Sequence, residues 1–240
     1  MYLVAHHDFK DLAARYDAWY RTPLGAFAHA LEEAAIFGLA DVRSGERAID
    51  IGCGTGIYAL ELARRGIRVV GLDASFEMIA IAREKFREAG LTGLWVCGSA
   101  EALPFRSASA DLALAVTSLC FVSEPDRAIA EMRRLITPDG SVVLGELNRW
   151  SSWALVRRLK GLVADTIYNR AHFWSRRELA RLLQRNGLIP RAVRIVLHIP
   201  PIRWDTFLKR AGVIDGLLGR LLPWTGAFIA VAARRQPDDA

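Results

Sequence analysis

Two hydrophobic patterns alternate along this chain. Short apolar runs rich in β-branched residues predict buried strands, and longer stretches with apolar residues every three or four positions predict helices. Such alternation predicts an α/β fold with a parallel, doubly wound sheet that binds ligands at the carboxyl ends of its strands. The predicted strands are 46–51, 67–72, 93–98, 111–117 and 140–147, and the predicted helices are 56–65, 76–89, 124–136 and 176–186.

Two of the predicted helices begin with a capping box, in which a serine side chain and an acidic side chain three positions later bind each other's backbone N–H groups. Ser123 with Asp126 predicts the start of one helix, and Ser175 with Glu178 predicts the start of another. The first forty residues are also expected to be helical.

The composition is typical of one large α/β domain. A chain of 240 residues, of which 52% are hydrophobic, is long enough to bury a sheet under helices on both faces. Three cysteines without a Cys-x-x-Cys pair favour reduced thiols over a disulfide set. The first residues, with His6 and His7 close behind Met1, are not typical of a signal peptide. We therefore expect a cytoplasmic protein.

The chain carries a formal net charge of +6, mostly from arginine. A basic balance is compatible with nucleic acid, anionic lipid or an acidic substrate as a partner. The arginines are spread over several predicted helices, however, and no basic run contains interleaved aromatic residues. The charge is therefore interpreted as a source of solubility, and no nucleic-acid partner is expected.

The segment 50–56, Asp-Ile-Gly-Cys-Gly-Thr-Gly, is the most informative stretch of the chain. It follows an apolar run and precedes a helix-forming stretch at 58–65, which predicts a strand, a tight turn and a helix N-terminus. That layout presents backbone N–H groups and the positive end of a helix dipole to a ligand. The glycines permit unusual backbone angles and a closer approach of the ligand than a Cβ atom would allow.

Two features favour S-adenosylmethionine (SAM) over a dinucleotide as that ligand. The dinucleotide fingerprint is Gly-x-Gly-x-x-Gly, but here the third glycine comes one residue early, at Gly56, and Ile57 takes the dinucleotide position. Asp73 ends the next predicted strand about twenty residues beyond the loop, where its carboxylate can accept both ribose hydroxyls of an adenosine, a contact that both classes of ligand need. The loop, Asp50 within it and Asp73 together predict a SAM site.

Five sequence blocks, taken together, resemble the class I SAM-dependent methyltransferases. Within that class they resemble the small-molecule, type 11 group, which is similar to the ubiquinone and menaquinone C-methyltransferases. The resemblance runs from about Tyr16 to Gly145 and continues more loosely to the C-terminus. The matching blocks are 47–56 (RAIDIGCGTG), 71–75 (GLDAS), 98–105 (GSAEALPF), 110–112 (ADL) and 134–140 (RLITPDG).

The resemblance implies a single domain over residues 1–240, with a seven-stranded, doubly wound Rossmann-like sheet whose last strand is antiparallel. Arg191–Ile199 and Gly226–Ala233 are then the sixth and seventh strands, paired antiparallel. The implied parts are an N-terminal helical lid (1–44), a SAM-binding core (45–147), and cap helices with the C-terminal strands (148–240).

The resemblance also implies the cofactor contacts. Asp50 is oriented toward the amino group of the methionine moiety, Asp73 binds the ribose, and Thr117 borders the transfer site. The family places an acidic residue beside the adenine where this chain has Ser99. Loss of that hydrogen-bonding carboxylate is expected to weaken the binding free energy of the cofactor by about 1 kcal/mol. The expected contacts are Tyr16, Asp50, Gly52, Cys53, Gly54, Gly56, Asp73, Ala74, Met78, Ser99, Ala100, Glu101 and Thr117.

Two of these side chains also have a purely structural interpretation. Tyr16 either touches the methionine part of SAM or the substrate, or anchors a helix on the core, as Trp19 is expected to do. Met78 either covers one face of the adenine or fills the core beneath its helix.

The acceptor chemistry is less defined than the cofactor site. After the fourth strand the chain has neither the Asn/Asp-Pro-Pro-aromatic sequence typical of nucleobase or glutamine methylation nor a histidine that could act as a base. No His, Asp or Glu cluster has metal-ligand spacing, so no metal is expected. The candidate catalytic residues are His172, which is preferred, then Tyr16, Tyr168, His6 and His7.

Two long connections are expected to form caps. The segment 150–174, rich in tryptophan and arginine, either selects a hydrophobic or anionic substrate or is a surface helix packed on the sheet. The insertion 200–224 contains Asp215, Arg220 and Pro223, which argue against a membrane span. An amphipathic helix that caps an apolar pocket or rests on a membrane surface is possible there.

These features predict methyl transfer from SAM to a small, hydrophobic acceptor at oxygen, carbon or nitrogen, with S-adenosylhomocysteine as the product. The protein is expected to be a monomer or a homodimer. Two alternatives stay open. One is a protein that binds SAM or its product without catalysis. The other, opposed by the absent Pro-Pro motif, is an RNA methyltransferase.

Overall fold

The structure, a computed structural model, describes residues 16–236 and confirms the predicted alternation of strands and helices. The strands are β1 (Arg47–Ile51), β2 (Arg68–Asp73), β3 (Leu94–Cys97), β4 (Ala110–Val116), β5 (Ile136–Leu147), β6 (Leu188–Val196) and β7 (Phe228–Arg235). The helices are α1 (Pro23–Phe37), α2 (Ile57–Arg64), α3 (Phe76–Glu88), α4 (Pro125–Leu135), α5 (Ser152–Gly161), α6 (Arg176–Arg185), α7 (Asp205–Leu208) and α8 (Ala211–Leu221).

Within residues 16–236, seven strands form one sheet in the order β3-β2-β1-β4-β5-β7-β6. Strands β1 to β5 are parallel, whereas β7 runs antiparallel to both of its neighbours, β5 and β6. This confirms the predicted fold class. The strand order reverses between β1 and β4, and in such sheets ligands bind at the carboxyl ends of the strands beside that reversal.

Strand β4 shows why the sheet is buried on both faces. Ala113 and Ala115 point into one core cluster with α4 and α6, and the alternate residues Leu112 and Leu114 point into a second cluster with α1, α2 and α3. Side chains alternate across a strand, so a run that is apolar at every position requires cover on both sides. Because helices cover both faces of the central strands, a ligand can reach them at their carboxyl ends.

Strand β6 differs from the prediction, since it begins three residues earlier and ends three residues earlier. Pro190 lies at a register shift in the pairing with β7, and an edge strand tolerates a proline at such a bulge. After Val196 the chain turns at Leu197, whose φ is +65°. The backbone N–H of Ile199 then donates to Asp215 Oδ1 at 3.0 Å instead of continuing the strand.

One of the two predicted capping boxes is wrong. Helix α4 begins at Pro125 without a side-chain cap, and the predicted pair with Ser123 does not form. The backbone N–H of Glu124 instead donates to Oε1 of Glu101 at 2.8 Å, so a residue from another loop caps this helix. The capping box at the start of α6 is confirmed, with both of its hydrogen bonds present.

The two cap segments pack against the N-terminal helix. Trp153 of α5 and Ala211 of α8 lie in one apolar cluster with Leu24 and Ala28 of α1, and Trp153 Nε1 donates to the Ile199 carbonyl at 2.8 Å. None of the helices in residues 16–236 combines the length and the apolar character that crossing a membrane requires.

Candidate active site

The glycine loop between β1 and α2 requires glycine at two positions for steric reasons. Gly52 and Gly56 have φ of +71° and +77°, in the region that other residues rarely adopt. A Cβ atom on Gly52 would lie 2.3 Å from Cβ of Ser118, and one on Gly56 would lie 2.9 Å from Cβ of Ala82. A Cβ on Gly54 would meet no atom of the described chain within 4 Å, which leaves space at that point for a ligand.

Asp73, at the end of β2, binds the glycine loop directly. Its Oδ2 accepts the backbone N–H of Gly54 at 2.8 Å, and its Oδ1 accepts the N–H of Ser75 at 2.9 Å. Burial raises the pKa of this carboxyl, while the backbone N–H groups partly oppose the rise. Each carboxylate oxygen has a second acceptor position, so the group retains capacity for two ribose hydroxyls.

Asp50 is a buried carboxyl with an unpartnered oxygen. It lies in β1 with 2% of its surface exposed, and its Oδ2 has no hydrogen-bond partner in the structure. Burial, and to a lesser degree the charge of Asp73, raise the pKa of Asp50 to about 7. Such an oxygen is costly unless a donor binds it, and a ligand ammonium group is a donor of the required charge.

The N-terminal segment is fastened across the glycine loop. Residues 16–20 are helical, and Asp17 accepts the Thr55 hydroxyl at 2.7 Å. The other carboxylate oxygen of Asp17 forms an ion pair with Nζ of Lys85 in α3 at 2.7 Å. The segment predicted to be a lid thus contacts both the loop and the helix that follows β2.

Tyr16 and Thr117, two of the predicted cofactor contacts, lie together in the structure. The Tyr20 hydroxyl donates to the Tyr16 hydroxyl at 3.0 Å, and the Thr117 side chain lies close enough to Tyr16 to lower its pKa. Burial raises the pKa of Tyr16 to about 12, so its hydroxyl stays neutral. Thr117 has a φ of +48°, and strain of this kind in a non-glycine residue clusters at functional sites.

Two buried carboxyl groups near this pair were not predicted from the sequence. Glu146, at the end of β5, is fully buried. Its Oε1 accepts the N–H of Leu119 at 3.0 Å, and its Oε2 has no partner. Burial raises the pKa of Glu146 to about 8 and that of Glu32 in α1 to about 7. The available signal was an acidic residue within an otherwise apolar run, as in the Val-Val-Leu-Gly-Glu-Leu of β5.

The predicted adenine region is partly used by the protein itself. The Ser99 hydroxyl accepts the N–H of Glu101 at 3.1 Å, and the Glu101 carboxylate caps α4. Met78 is buried at the start of α3, a position compatible with its core interpretation. Cys53 is buried, and burial raises the pKa of its thiol, so the protein keeps it protonated.

His172 is held at the surface. Its backbone N–H donates to the Cys120 carbonyl at 2.8 Å, while its exposed ring packs edge-on against Trp174 with centroids 4.3 Å apart. Partial burial lowers the pKa of the His172 imidazole; Glu178 opposes this shift, and Arg149 and Arg158 add to it. A role as general base stays a prediction. His6 and His7 lie outside the described residues.

Several known proteins are similar to this chain. A family model described as a methyltransferase domain matches residues 49–144. An uncharacterized protein of Mycobacterium bovis is 34% identical over 230 residues, which cover 95% of this chain and 73% of that protein. A ubiquinone/menaquinone biosynthesis C-methyltransferase of Bordetella avium is 34% identical over 145 residues, or 59% of this chain and 56% of its own.

A solved structure from Thermotoga maritima has the same fold over nearly the whole chain. It is described as a SAM-dependent methyltransferase, possibly a histamine N-methyltransferase, and is 26% identical. The superposition has a TM-score of 0.72 and covers 97% of this chain and 100% of that one.

Proposed function

Because the chain belongs to the class I SAM-dependent methyltransferases, we propose that it transfers the methyl group of SAM to a small, hydrophobic acceptor. The observation that carries this proposal is the arrangement at the carboxyl ends of β1, β2 and β4. There an unpartnered buried carboxyl, a carboxylate bound to the glycine loop and a strained threonine lie under the N-terminal segment.

The residues of the site fit SAM as the resident cofactor, which supplies an electrophilic methyl group on a sulfonium when bound. Asp50 offers its unpartnered Oδ2 to the ammonium group of the methionine moiety. Asp73 offers its remaining acceptor positions to the ribose hydroxyls. The loop glycines, with Cys53, Ala74 and the Ser99–Glu101 stretch, would complete the contacts.

A hydrophobic acceptor suits the polar groups around Thr117, because burial keeps them largely uncharged. The pKa values of Tyr16 and Glu146, about 12 and about 8, leave both protonated at neutral pH. Methyl transfer disperses the positive charge of a sulfonium, which a pocket poor in water favours, and positioning of the acceptor contributes further. Glu32 is buried in α1, near enough to Tyr16 to raise the pKa of that tyrosine, and it is the candidate to accept a proton from a phenol or carbon acid.

The names of the relatives support the acceptor class without identifying the acceptor. The Bordetella avium protein is a quinone C-methyltransferase, and the Thermotoga maritima protein is a possible histamine N-methyltransferase. Quinone precursors, phenols and fatty acids are therefore the first acceptors to test, with histamine as the polar comparison.

Calorimetric titration with SAM, S-adenosylhomocysteine and NADH tests the cofactor, and transfer of a labelled methyl group to the acceptors tests the reaction. We expect SAM and its product to bind, no binding of NADH, and transfer to a hydrophobic acceptor. Binding of NADH alone would contradict the cofactor assignment. SAM binding without transfer to any acceptor would favour the alternative of a SAM-binding protein without catalysis.

The affinity for SAM is expected to rise with pH, by roughly five- to tenfold between about pH 6 and about pH 7.5. Asp50 has a pKa of about 7 and must lose its proton to pair with the ammonium group, so acid pH opposes binding. Above about pH 8 the α-amino group of SAM itself loses its proton, so the affinity should stop rising at that pH. Titrations over this range measure the effect.

Asp50→Asn is the control for this pH dependence. It cannot ionise, so the variant should bind SAM more weakly and with an affinity that changes little between the same pH values. A variant that retains the full rise with pH would show that another group is responsible.

A further inference from the structure

The cap helices α5 and α8 each carry an apolar stripe that faces away from the protein. In α5 and the turn after it, Leu155, Leu159 and Leu162 are more than half exposed, and in α8 the same holds for Val213, Leu217 and Leu221. Each set follows the spacing of one helix face. We call these six residues the cap face.

The cap face is additional to the face by which each helix packs on the protein. Trp153 and Ala154 of α5 and Ala211 of α8 are buried, and Trp153 and Ala211 share one apolar cluster with α1. Both helices are therefore apolar on opposite sides. Contiguous apolar side chains that stay exposed are typical of interaction sites, because folding does not bury them.

Two exposed tryptophans, Trp150 before α5 and Trp224 after α8, have backbones that are held close together. The Asn148 side chain connects them, since its Nδ2 donates to the Trp224 carbonyl at 2.8 Å and its Oδ1 accepts the Trp150 N–H at 3.1 Å. Both indole side chains are more than half exposed. Amphipathic rings at the rim of an apolar surface are typical of the interface between a membrane and water.

The charges beside the cap face are predominantly positive. The segment 149–164 contains four cations and no acidic residue. Of these cations Lys160 is exposed, whereas Arg149 pairs with Glu178, and Arg157 and Arg158 lie half-buried over the rings of Tyr168 and Phe173. The segment 200–224 contains four cations, Arg203, Lys209, Arg210 and Arg220, and two aspartates. Of these aspartates, Asp215 is buried and accepts the backbone N–H groups of His198 and Ile199.

We propose that the cap face docks on the surface of an anionic lipid bilayer. The leucine and valine side chains would enter the boundary of the acyl chains, the tryptophans would lie at the level of the headgroups, and the neighbouring cations would meet lipid phosphates. Pairing of this surface with a second copy would bring like charges together, which disfavours that occupant. Docking would also bring the protein to hydrophobic acceptors dissolved in the bilayer. That second step rests on the proposed function, whereas docking itself does not.

Co-sedimentation with vesicles tests the proposal. We expect the protein to bind vesicles made of equal parts phosphatidylcholine and phosphatidylglycerol, to bind phosphatidylcholine alone much more weakly, and to lose affinity as salt is raised. Leu159→Glu in α5 and Leu217→Glu in α8 should each lower partitioning about tenfold. Leu94→Glu, at a leucine on the edge strand β3 that is also more than half exposed, is the matched control and should leave partitioning unchanged.

Three results would overturn docking on a bilayer. The first is that the protein does not bind anionic vesicles. The second is that either Leu159→Glu or Leu217→Glu leaves vesicle binding unchanged. The third is that the protein forms a homodimer without lipid and that these substitutions dissociate it. Circular dichroism and SAM titration of each variant establish that it is folded. Vesicle binding is measured without SAM, so a protein that docks but transfers no methyl group contradicts the proposed function alone.

Discussion

Asp73→Ala is expected to weaken SAM binding by at least about a hundredfold, because two hydrogen bonds to an ionised acceptor are worth roughly 1.5–3 kcal/mol each. The substitution also frees the N–H groups of Gly54 and Ser75, which the carboxylate binds in the structure. The loop would then lose one of its contacts with β2, while the N–H groups of Gly52 and Cys53 would still donate to the Leu72 carbonyl. Both effects act on the same ligand, so few other single substitutions should reduce its affinity as much.

The measurement is calorimetric titration of SAM and S-adenosylhomocysteine, with Asp111→Ala as a matched control. Asp111 also accepts a backbone N–H, that of Arg47 at 2.9 Å, but it does so at the amino ends of β1 and β4. Its loss should cost stability and leave SAM binding unchanged. Asp73→Asn, which keeps the size of the side chain and removes its charge, should give an intermediate affinity. Unchanged binding by Asp73→Ala would refute the ribose assignment.

The parts of the site that were predictable from sequence are those set by local backbone geometry. Three glycines in five positions between a strand and a helix are typical of a turn that a ligand approaches closely, and the φ angles of Gly52 and Gly56 confirm why glycine is needed. Asp73 was predictable for the same reason, since the end of β2 is a fixed distance along the chain from the loop.

The parts that were not predictable depend on contacts between distant segments. Asp17 and Thr55 are 38 positions apart, and nothing local in either segment indicates that they meet. The predicted capping box of α4 does not form for the same reason. Glu101, from a distant loop, accepts the N–H of Glu124 at the start of this helix. The pKa of Glu146 follows from burial, which only the assembled sheet determines.

The register of β6 shows a related limit. A proline such as Pro190 argues against a place inside a strand, but its position at a bulge on the edge of the sheet makes the missing N–H harmless. The end of the strand is set by Asp215 from α8, whose carboxylate takes the N–H groups of His198 and Ile199. Contacts with other parts of the chain therefore set both ends of β6. The alternation of its side chains alone would allow several registers.

Gly52→Ala is expected to abolish SAM binding and to lower the free energy of unfolding by about 2–5 kcal/mol, the sum of left-handed strain and overpacking. The added methyl group would lie 2.3 Å from Cβ of Ser118. Ser118 cannot retreat freely, because its hydroxyl donates to the Ile51 carbonyl at 2.9 Å. The clash would therefore push apart the ends of β1 and β4, between which the cofactor loop and Thr117 are positioned.

Chemical denaturation separates the two causes. Gly45→Ala carries a comparable strain, with a φ of +89°, but its Cβ would meet no atom of the described chain within 4 Å, so it measures strain alone. Combining Gly52→Ala with Ser118→Gly removes the clash and keeps the strain, and Ser118→Gly by itself completes the double-mutant cycle. We expect the combined variant to regain part of the lost stability. If Gly52→Ala cost no more than Gly45→Ala, close packing of the loop against Ser118 would not be what requires glycine there.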